Sequence, residues 1–323
     1  MGDATTIPQF APAWQKFLDE FGESPRLYGA LEELRTTWSG ILQRMMAKYN
    51  IEFTLDDSVQ TKDVNLDDFW LRVYTPPGDT SNKPVGVYFH GGGWAMGAVD
   101  EEDAFCRQIS KHHQMTLVSV EYRLAPQYKY PIPLGDCVSA VYWTLAALHP
   151  SSVVLVGASA GANLAFGAAL KLIDQGFSES VSGVVALVPV TVHPDAVPED
   201  LKTRYTSYEE NADATVNTAS AMKTFYTAYG APHDDIYTSC LLHPKLNHLK
   251  KVYIAECGAD TLRDDAVLMR EALEKAGVPV SYDAYPGFPH YSWTFPSKHL
   301  DEHREIFLGK AMDGVKWVAG VDS

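Results

Sequence analysis

Two glycine-flanked motifs hold the residues of this chain best suited to chemistry. His90-Gly91-Gly92-Gly93-Trp94 follows the apolar run Val85–Phe89, and Gly157-Ala158-Ser159-Ala160-Gly161 follows the run Ser152–Val156. Both runs are short and rich in β-branched residues, as buried parallel strands are. From Ala160 to Leu172 the composition becomes that of a helix, rich in Ala, Leu and Phe. The chain must therefore turn within a few residues around Ser159. Gly157 and Gly161 have no Cβ, so strand and helix can approach closely and Ser159 can hold an unfavourable backbone conformation. That places Oγ at a helix N-terminus, where the dipole favours developing negative charge. A glycine-rich turn alone is a bland reading of this motif; its strand–turn–helix context makes Ser159 a nucleophile for acyl transfer. The glycine run gives the complementary part. Backbone N–H groups of Gly91, Gly92 and Gly93, with that of Ala160, are the expected oxyanion hole, and losing one such donor costs about 2.7–4 kcal/mol of transition-state stabilisation.

A serine nucleophile needs a base, and the base needs an orienting acid. On a strand–turn–helix elbow of this kind the chain order is Ser, then Asp or Glu, then His. Asp260 follows the strand-like run Lys251–Ala255, and His290 follows the run Val278–Tyr285. Both thus lie past the carboxyl ends of strands, where open parallel sheets build their sites. Of the eleven histidines, only His290 follows a strand after Asp260. Asp264 and Asp265 read as dipole partners at the start of the helix Arg263–Ala276. A competing pattern, His299-Leu300-Asp301-Glu302-His303, matches a zinc-peptidase motif. It shows no third ligand and reads as a solvated helix face, so neither a metal nor any other cofactor is expected.

These residues need elements to carry them. Strands are expected at Val59–Leu66, Phe69–Tyr74, Pro84–Phe89 and Thr116–Glu121, with helices at Asp103–His113 and Leu134–Leu148. The alternation that runs into the elbow predicts an α/β fold, a mostly parallel sheet with helices on both faces. The segment Gln9–Tyr49 has helical composition, with Trp14, Phe17, Leu18 and Phe21 on one face and Leu27, Leu31, Leu34 and Trp38 after them. Thr191–Leu249 interrupts the alternation, with one helix at Thr218–Tyr229. Its Tyr205, Tyr208, Phe225, Tyr226 and Tyr229 can line an apolar pocket or simply pack the insertion down. Trp94, Tyr205, Tyr208, Phe288 and Tyr291 are the expected substrate contacts.

Composition narrows the partners. The 323 residues carry 26 basic and 41 acidic side chains, a formal charge of −15. That argues against nucleic acid and against stable attachment to anionic membranes, which need clustered Lys and Arg. A small molecule is the expected partner, and the chain a single domain, monomeric or homodimeric. Cys106, Cys137, Cys240 and Cys257 have no metal or redox spacing and read as buried free thiols. The first residues show neither a basic nor an apolar signal region, and no Asn-x-Ser/Thr acceptor occurs, so the cytoplasm is the expected compartment. Met1–Thr6 formally fits an N-myristoylation pattern, but no polybasic second signal accompanies it.

The motifs together resemble the hormone-sensitive-lipase-like family of α/β-hydrolase carboxylesterases. The resemblance rests on Phe89–Trp94, Tyr122-Arg123-Leu124-Ala125-Pro126, Gly157–Gly161 and Asp260-Thr261-Leu262-Arg263-Asp264, and covers about Lys83 to Pro296. It implies an α/β-hydrolase fold, a Ser159–His290–Asp260 triad without cofactor, and a helical cap from about residues 1–50 and 191–249. Two positions depart from many members: Gln127 stands where Glu is frequent, and Ala158 where Asp is frequent. The segment from Val190 to Asn211 resembles, more narrowly, the fungal versiconal hemiacetal acetate esterase-like branch. The activity so implied is hydrolysis of short to medium acyl esters of apolar or aromatic alcohols. The same elbow also serves acyltransferases and cyclases of secondary metabolism. Non-catalytic receptors on this fold lose a triad member, and this chain retains all three.

Overall fold

The computed structural model describes residues 10–51, 56–78, 80–81, 83–213 and 216–321. The Met1–Thr6 pattern and the first residues of the expected cap lie outside them. An eight-stranded sheet forms the centre: β1 (Gln60–Asn65), β2 (Trp70–Thr75), β3 (Val85–Phe89), β4 (Leu117–Glu121), β5 (Val153–Ala158), β6 (Val181–Leu187), β7 (Val252–Cys257) and β8 (Val280–Tyr285). Its spatial order is β1-β2-β4-β3-β5-β6-β7-β8. The pairs β1–β2 and β2–β4 are antiparallel, and every pair from β4 across to β8 is parallel.

The helices follow in chain order as α1 (Pro12–Phe21), α2 (Leu31–Tyr49), α3 (Asp103–His113), α4 (Ile132–Leu148), α5 (Ala160–Asp174), α6 (Ser207–Glu210), α7 (Ala219–Tyr229), α8 (Arg263–Lys275) and α9 (Asp301–Ala319). Strand periodicity sorts the core into two layers. Val153 and Leu155 of β5 join Val87, Val184 and Ile254 under α4, α5 and α8, whereas Val154 and Val156 join Tyr88, Val185 and Tyr253 under α3 and α9. Both faces are covered, which is why β3 and β5 carry no charged side chain at any position. Each fully buried Val, Leu or Phe contributes about 1.5–3 kcal/mol relative to exposure.

The N-terminal stretch of helical composition forms two helices. Pro12 starts α1, and Gly22 ends it in the left-handed region at φ 92°. Trp14 and Phe17 are buried and pack their rings against Phe295 at 5.2 and 5.0 Å. The Glu33 carboxylate accepts the Ala30 N–H at 2.7 Å and so starts α2.

The second N-terminal helix is tied to the rest by hydrogen bonds to backbone. Arg35 of α2 donates from Nη2 to the Ala95 carbonyl at 2.7 Å. The preceding loop bonds to the insertion: Leu27 N–H donates to Val216 O at 3.0 Å, and Thr218 Oγ1 donates to Leu27 O at 2.6 Å. The insertion in turn is held by α8. Buried Asp265 accepts the N–H groups of Thr191 and Val192 at 2.7 and 3.1 Å and the Tyr205 hydroxyl at 2.7 Å. Asp264 accepts the N–H groups of Thr206 and Ser207 at 2.6 and 2.8 Å. These two aspartates therefore do more than face a helix dipole; they fasten residues 191–207 to the first turn of α8.

Candidate active site

The elbow forms where β5 runs into α5. Ser159 sits at φ 55° and ψ −121°, and its N–H donates to Leu187 O at 2.8 Å. The backbone strain at a non-glycine residue is tolerated because β5 in the sheet fixes one flank and the buried helix α5 the other. A Cβ at Gly157 would overlap the backbone of Gly161, and one at Gly161 would overlap the Phe89 carbonyl. The elbow is thus packed against the end of β3, the strand that leads into the glycine run. There Gly92 and Gly93 adopt φ 105° and 59°. The Gly92 carbonyl accepts from Met96 N–H at 2.9 Å, which curls the loop back beside Ser159. His90 is buried behind it, stacked on Tyr122 at 4.2 Å, and the Tyr122 hydroxyl donates to the His90 carbonyl at 2.9 Å. Burial pulls the His90 imidazole down to about 4, so it is neutral near pH 7.

Asp260 and His290 come from the ends of β7 and β8. Asp260 is fully buried; its Oδ2 lies 2.5 Å from His290 Nδ1, and its Oδ1 accepts the Leu262 N–H at 3.0 Å. The Asn211 side chain donates to the Asp260 carbonyl at 2.9 Å, so the insertion also steadies this turn. The Asp260 contact leaves Nε2 as the free ring nitrogen of His290. His290 and Ser159 line the same cavity, of about 540 Å³, together with Gly91, Gly92 and Gly93. Ala160 is buried as the first residue of α5. The arrangement holds a strained serine, a histidine anchored to a carboxylate and a loop of backbone donors at one opening, which suits attack on an acyl carbon.

The rest of the cavity comes from elements far apart in the chain. Trp38, Leu42 and Met45 present one stripe of α2, spaced i, i+4 and i+7, and Val216, Met222 and Phe225 come from the insertion. Tyr291, Glu101 and Glu102 line it as well. The expected substrate contacts separate accordingly. Tyr291 lines the cavity; Trp94, Tyr205, Tyr208 and Phe288 do not. Trp94 is buried and stacked on Tyr229 at 4.6 Å, Tyr205 is spent on Asp265, Tyr208 lies 5.6 Å ring to ring from Tyr205, and Phe288 is stacked on His303 at 3.6 Å. The α2 stripe has a helical-period signal in the sequence, but periodicity alone does not say which way a helix faces. Glu102 carries no local signal at all.

The zinc-peptidase pattern is dispersed. His299 is exposed in a turn before α9, whereas His303 is buried inside it with Nε2 2.8 Å from Ser292 Oγ. The pattern is therefore not a solvated face. Burial pulls His303 down to about 4. Among the described residues one other group, His193, Asp195 and His233, brings three possible ligands together. Its two rings are stacked at 3.8 Å and 4°, so their in-plane lone pairs run parallel and do not converge on one ion. All four cysteines are buried and free.

The family profile described as the alpha/beta hydrolase fold matches residues 86–294. The chain belongs to that family. This hydrolase is 55% identical over 311 residues to the versiconal hemiacetal acetate esterase of Aspergillus parasiticus, covering 96% of this chain and 99% of that one. It is 50% identical over 284 residues to the esterase of the same description from Emericella nidulans, covering 87% and 98%. Among solved structures it is similar to vibralactone cyclase, with a TM-score of 0.86 at 25% identity over 99% of this chain and 97% of that one. The chain is thus an enzyme of the hydrolase type in the fungal esterase branch, with esterase relatives along nearly its whole length. No helix among the described residues is long and apolar enough to cross a membrane.

Proposed function

We propose that this chain is a serine carboxylic ester hydrolase that works through an acyl-enzyme on short to medium acyl esters of apolar or aromatic alcohols. The observation that carries the reading is the 2.5 Å Asp260–His290 contact at a cavity shared with Ser159 on its strained turn. His290 Nε2 takes the proton from Ser159 as Oγ attacks the ester carbonyl. The Nδ1–H donates to Asp260, which fixes the tautomer and stabilises the imidazolium. The tetrahedral oxyanion is held by backbone N–H groups of the Gly91–Gly93 loop and Ala160. His290 then gives its proton to the leaving alcohol, and water repeats the sequence on the acyl-enzyme to release the acid and restore Ser159.

The cavity supports the substrate class. At about 540 Å³, walled by Trp38, Leu42, Met45, Met222 and Phe225, it suits an aromatic alcohol portion more than a long flexible chain. The relatives named for an acetate ester support a short acyl group. In this reading about residues 1–50 and 191–249 contribute the cap, the partner is a small-molecule ester, and the setting is cytoplasmic secondary metabolism. An organophosphonate should label Ser159 in the native chain and nothing in Ser159→Ala. A p-nitrophenyl ester series should peak at C2–C6. A labelled peptide carrying a different serine, or turnover of long chains only, would sink the reading.

A further inference from the structure

The cavity lining is uneven. Its α2 and insertion residues are apolar apart from Asn217, while the 3-10 turn Val99–Glu102, which follows the glycine loop, adds carboxyls. Glu102 is the one of these that faces Tyr291. The Tyr291 hydroxyl donates to Glu102 Oε1 at 3.5 Å, a long and weak bond, and it also lies against Gly91. The carboxyl and phenol therefore sit beside the loop that would hold the oxyanion, within the reach of an alcohol portion bound in the cavity.

We propose that Glu102, with Tyr291, determines substrate specificity by accepting a hydrogen bond from a free hydroxyl on the substrate's alcohol portion, so that neutral hydroxyl-bearing aromatic esters are preferred and anionic ones refused. The proposal rests on the ester-hydrolase reading and names the substrate class of that site.

Three observations support it. First, the nearby cations are committed elsewhere. Arg72 pairs with Asp63, Asp100 and Asp103, and Arg107 pairs with Asp103, so among the described residues neither neutralises Glu102. Second, the groups around the carboxyl are themselves weak partners. They are the buried Tyr88 and Tyr291 hydroxyls, the buried Cys106 thiol, and the like-charged Glu101. Burial, and then Glu101, push Glu102 up to about 7. A carboxyl so placed is under-solvated, and a hydroxyl arriving as donor relieves that cost in either protonation state. Third, the α2 and insertion residues of the lining offer mostly carbon, with Asn217 their one polar side chain, so the carboxyls of the Val99–Glu102 turn supply most of the acceptors a substrate hydroxyl can meet. Sites that hydrogen-bond a substrate hydroxyl discriminate against its absence because their own polar group is left unpaired. A hydrogen bond to a charged or part-charged group in a partly hydrated cavity corresponds to roughly tenfold to hundredfold in kcat/KM.

The test compares three acetates on the full chain: 2-naphthyl acetate, its 7-hydroxy analogue, and 6-acetoxy-2-naphthoate. The wild type should prefer the hydroxyl analogue by roughly tenfold or more and disfavour the carboxylate. In Glu102→Leu the hydroxyl preference should collapse and the carboxylate should gain relative to 2-naphthyl acetate. Glu102→Gln keeps an acceptor, so it should retain most of the hydroxyl preference while relaxing the anion penalty. A merely structural role for Glu102 would lower all three rates together and leave both ratios unchanged, and that result overturns the proposal. If Glu102→Leu does not fold, the Glu102→Gln anion ratio and the hydroxyl ratio of Tyr291→Phe decide it, unchanged ratios counting against. Wild-type turnover of all three without preference also overturns it while the esterase reading stands. No turnover of any ester, with Ser159 unlabelled, removes the esterase reading and this inference with it.

Discussion

The two walls of the cavity are built in different ways. One wall is carried by the sheet. Ser159, the Gly91–Gly93 loop and His290 follow β5, β3 and β8, and Asp260 behind them follows β7. Adjacent parallel strands set their spacing; Phe89 pairs with Gly157 across β3 and β5, and Cys257 with Tyr285 across β7 and β8. The other wall comes from α2 and the insertion, which are tied on by hydrogen bonds between segments distant in the chain, such as Thr218 to Leu27 and Arg35 to Ala95. The walls meet where the Phe225 ring lies against Gly93, at the place a Cβ would occupy. On the proposed reading, chemistry depends on a cooperative lattice, whereas recognition depends on contacts between separate segments. Damage to the first wall should abolish turnover, and damage to the second should redirect it.

The sharpest way to break this contrast is at the elbow. Ser159→Ala should cost roughly a millionfold in kcat, the scale seen when one member of a serine triad is removed. Asp260→Asn should cost roughly ten-thousandfold, because the imidazole loses its enforced tautomer. Both are measured with p-nitrophenyl acetate on protein whose melting temperature is checked alongside. Loss of under tenfold in either would place the chemistry elsewhere.

On the other wall, Leu42→Ala removes apolar contact from α2 without touching the sheet. For a naphthyl ester kcat/KM should fall roughly tenfold, while p-nitrophenyl acetate, which fills less of the cavity, changes less. Equal losses on both esters would mean that α2 supports the catalytic groups and not the substrate.

The insertion's fastening should show in stability, with a sign that pH reveals. Asp265 is pushed up to about 7, mainly by burial. Its folded value lies above the usual carboxylate range, so the folded state holds the proton more tightly, and stability from this group falls as pH rises from about 4 to 7. His303 behaves in the opposite sense. Burial holds it at about 4, below its ordinary 6.5, so its share of stability is complete above pH 6.5 and is lost as pH falls toward 4. Melting temperatures across pH 4–7 should therefore steepen upward with pH in Asp265→Asn and flatten in His303→Gln. Hydrogen exchange at Thr191 and Val192 should rise in Asp265→Ala, whose lost acceptor leaves two buried N–H groups unpaired. Unchanged exchange there would show that the insertion is held by other contacts.

The smallest expected effect is that of chelation. Exhaustive EDTA treatment and the His299→Ala, His303→Ala pair should leave ester turnover per folded molecule nearly intact. Loss of activity restored by zinc would move the chemistry off the sheet-borne wall altogether.

Much of the sheet-borne wall is legible in the sequence because its signals are local. Val85–Phe89 and Val153–Ala158 must be buried strands to satisfy their apolar positions. Gly157 and Gly161 must be small because backbone approaches backbone there. Chain order then picks Asp260 and His290 from many acids and eleven histidines. The break between α1 and α2 was also written locally, in Gly22, Pro25 and Gly29, yet uniform helical composition on either side conceals it.

Which aromatic rings line the cavity was decided only by the tertiary structure. Trp94 and Phe288 stand beside the motifs in sequence and Tyr205 and Tyr208 in the insertion, but each finds its place elsewhere: on a stacked ring, a buried carboxylate or a neighbouring phenol. Trp38, Leu42 and Phe225 face the cavity although they are distant in the chain, because the loop before α2 is bonded to the segment before α7. Sequence fixes what must happen within a few residues, such as a turn, a strand or a close approach. It does not fix which of several apolar faces wins a given neighbour, since that choice is made by packing and hydrogen bonds between segments some 190 residues apart.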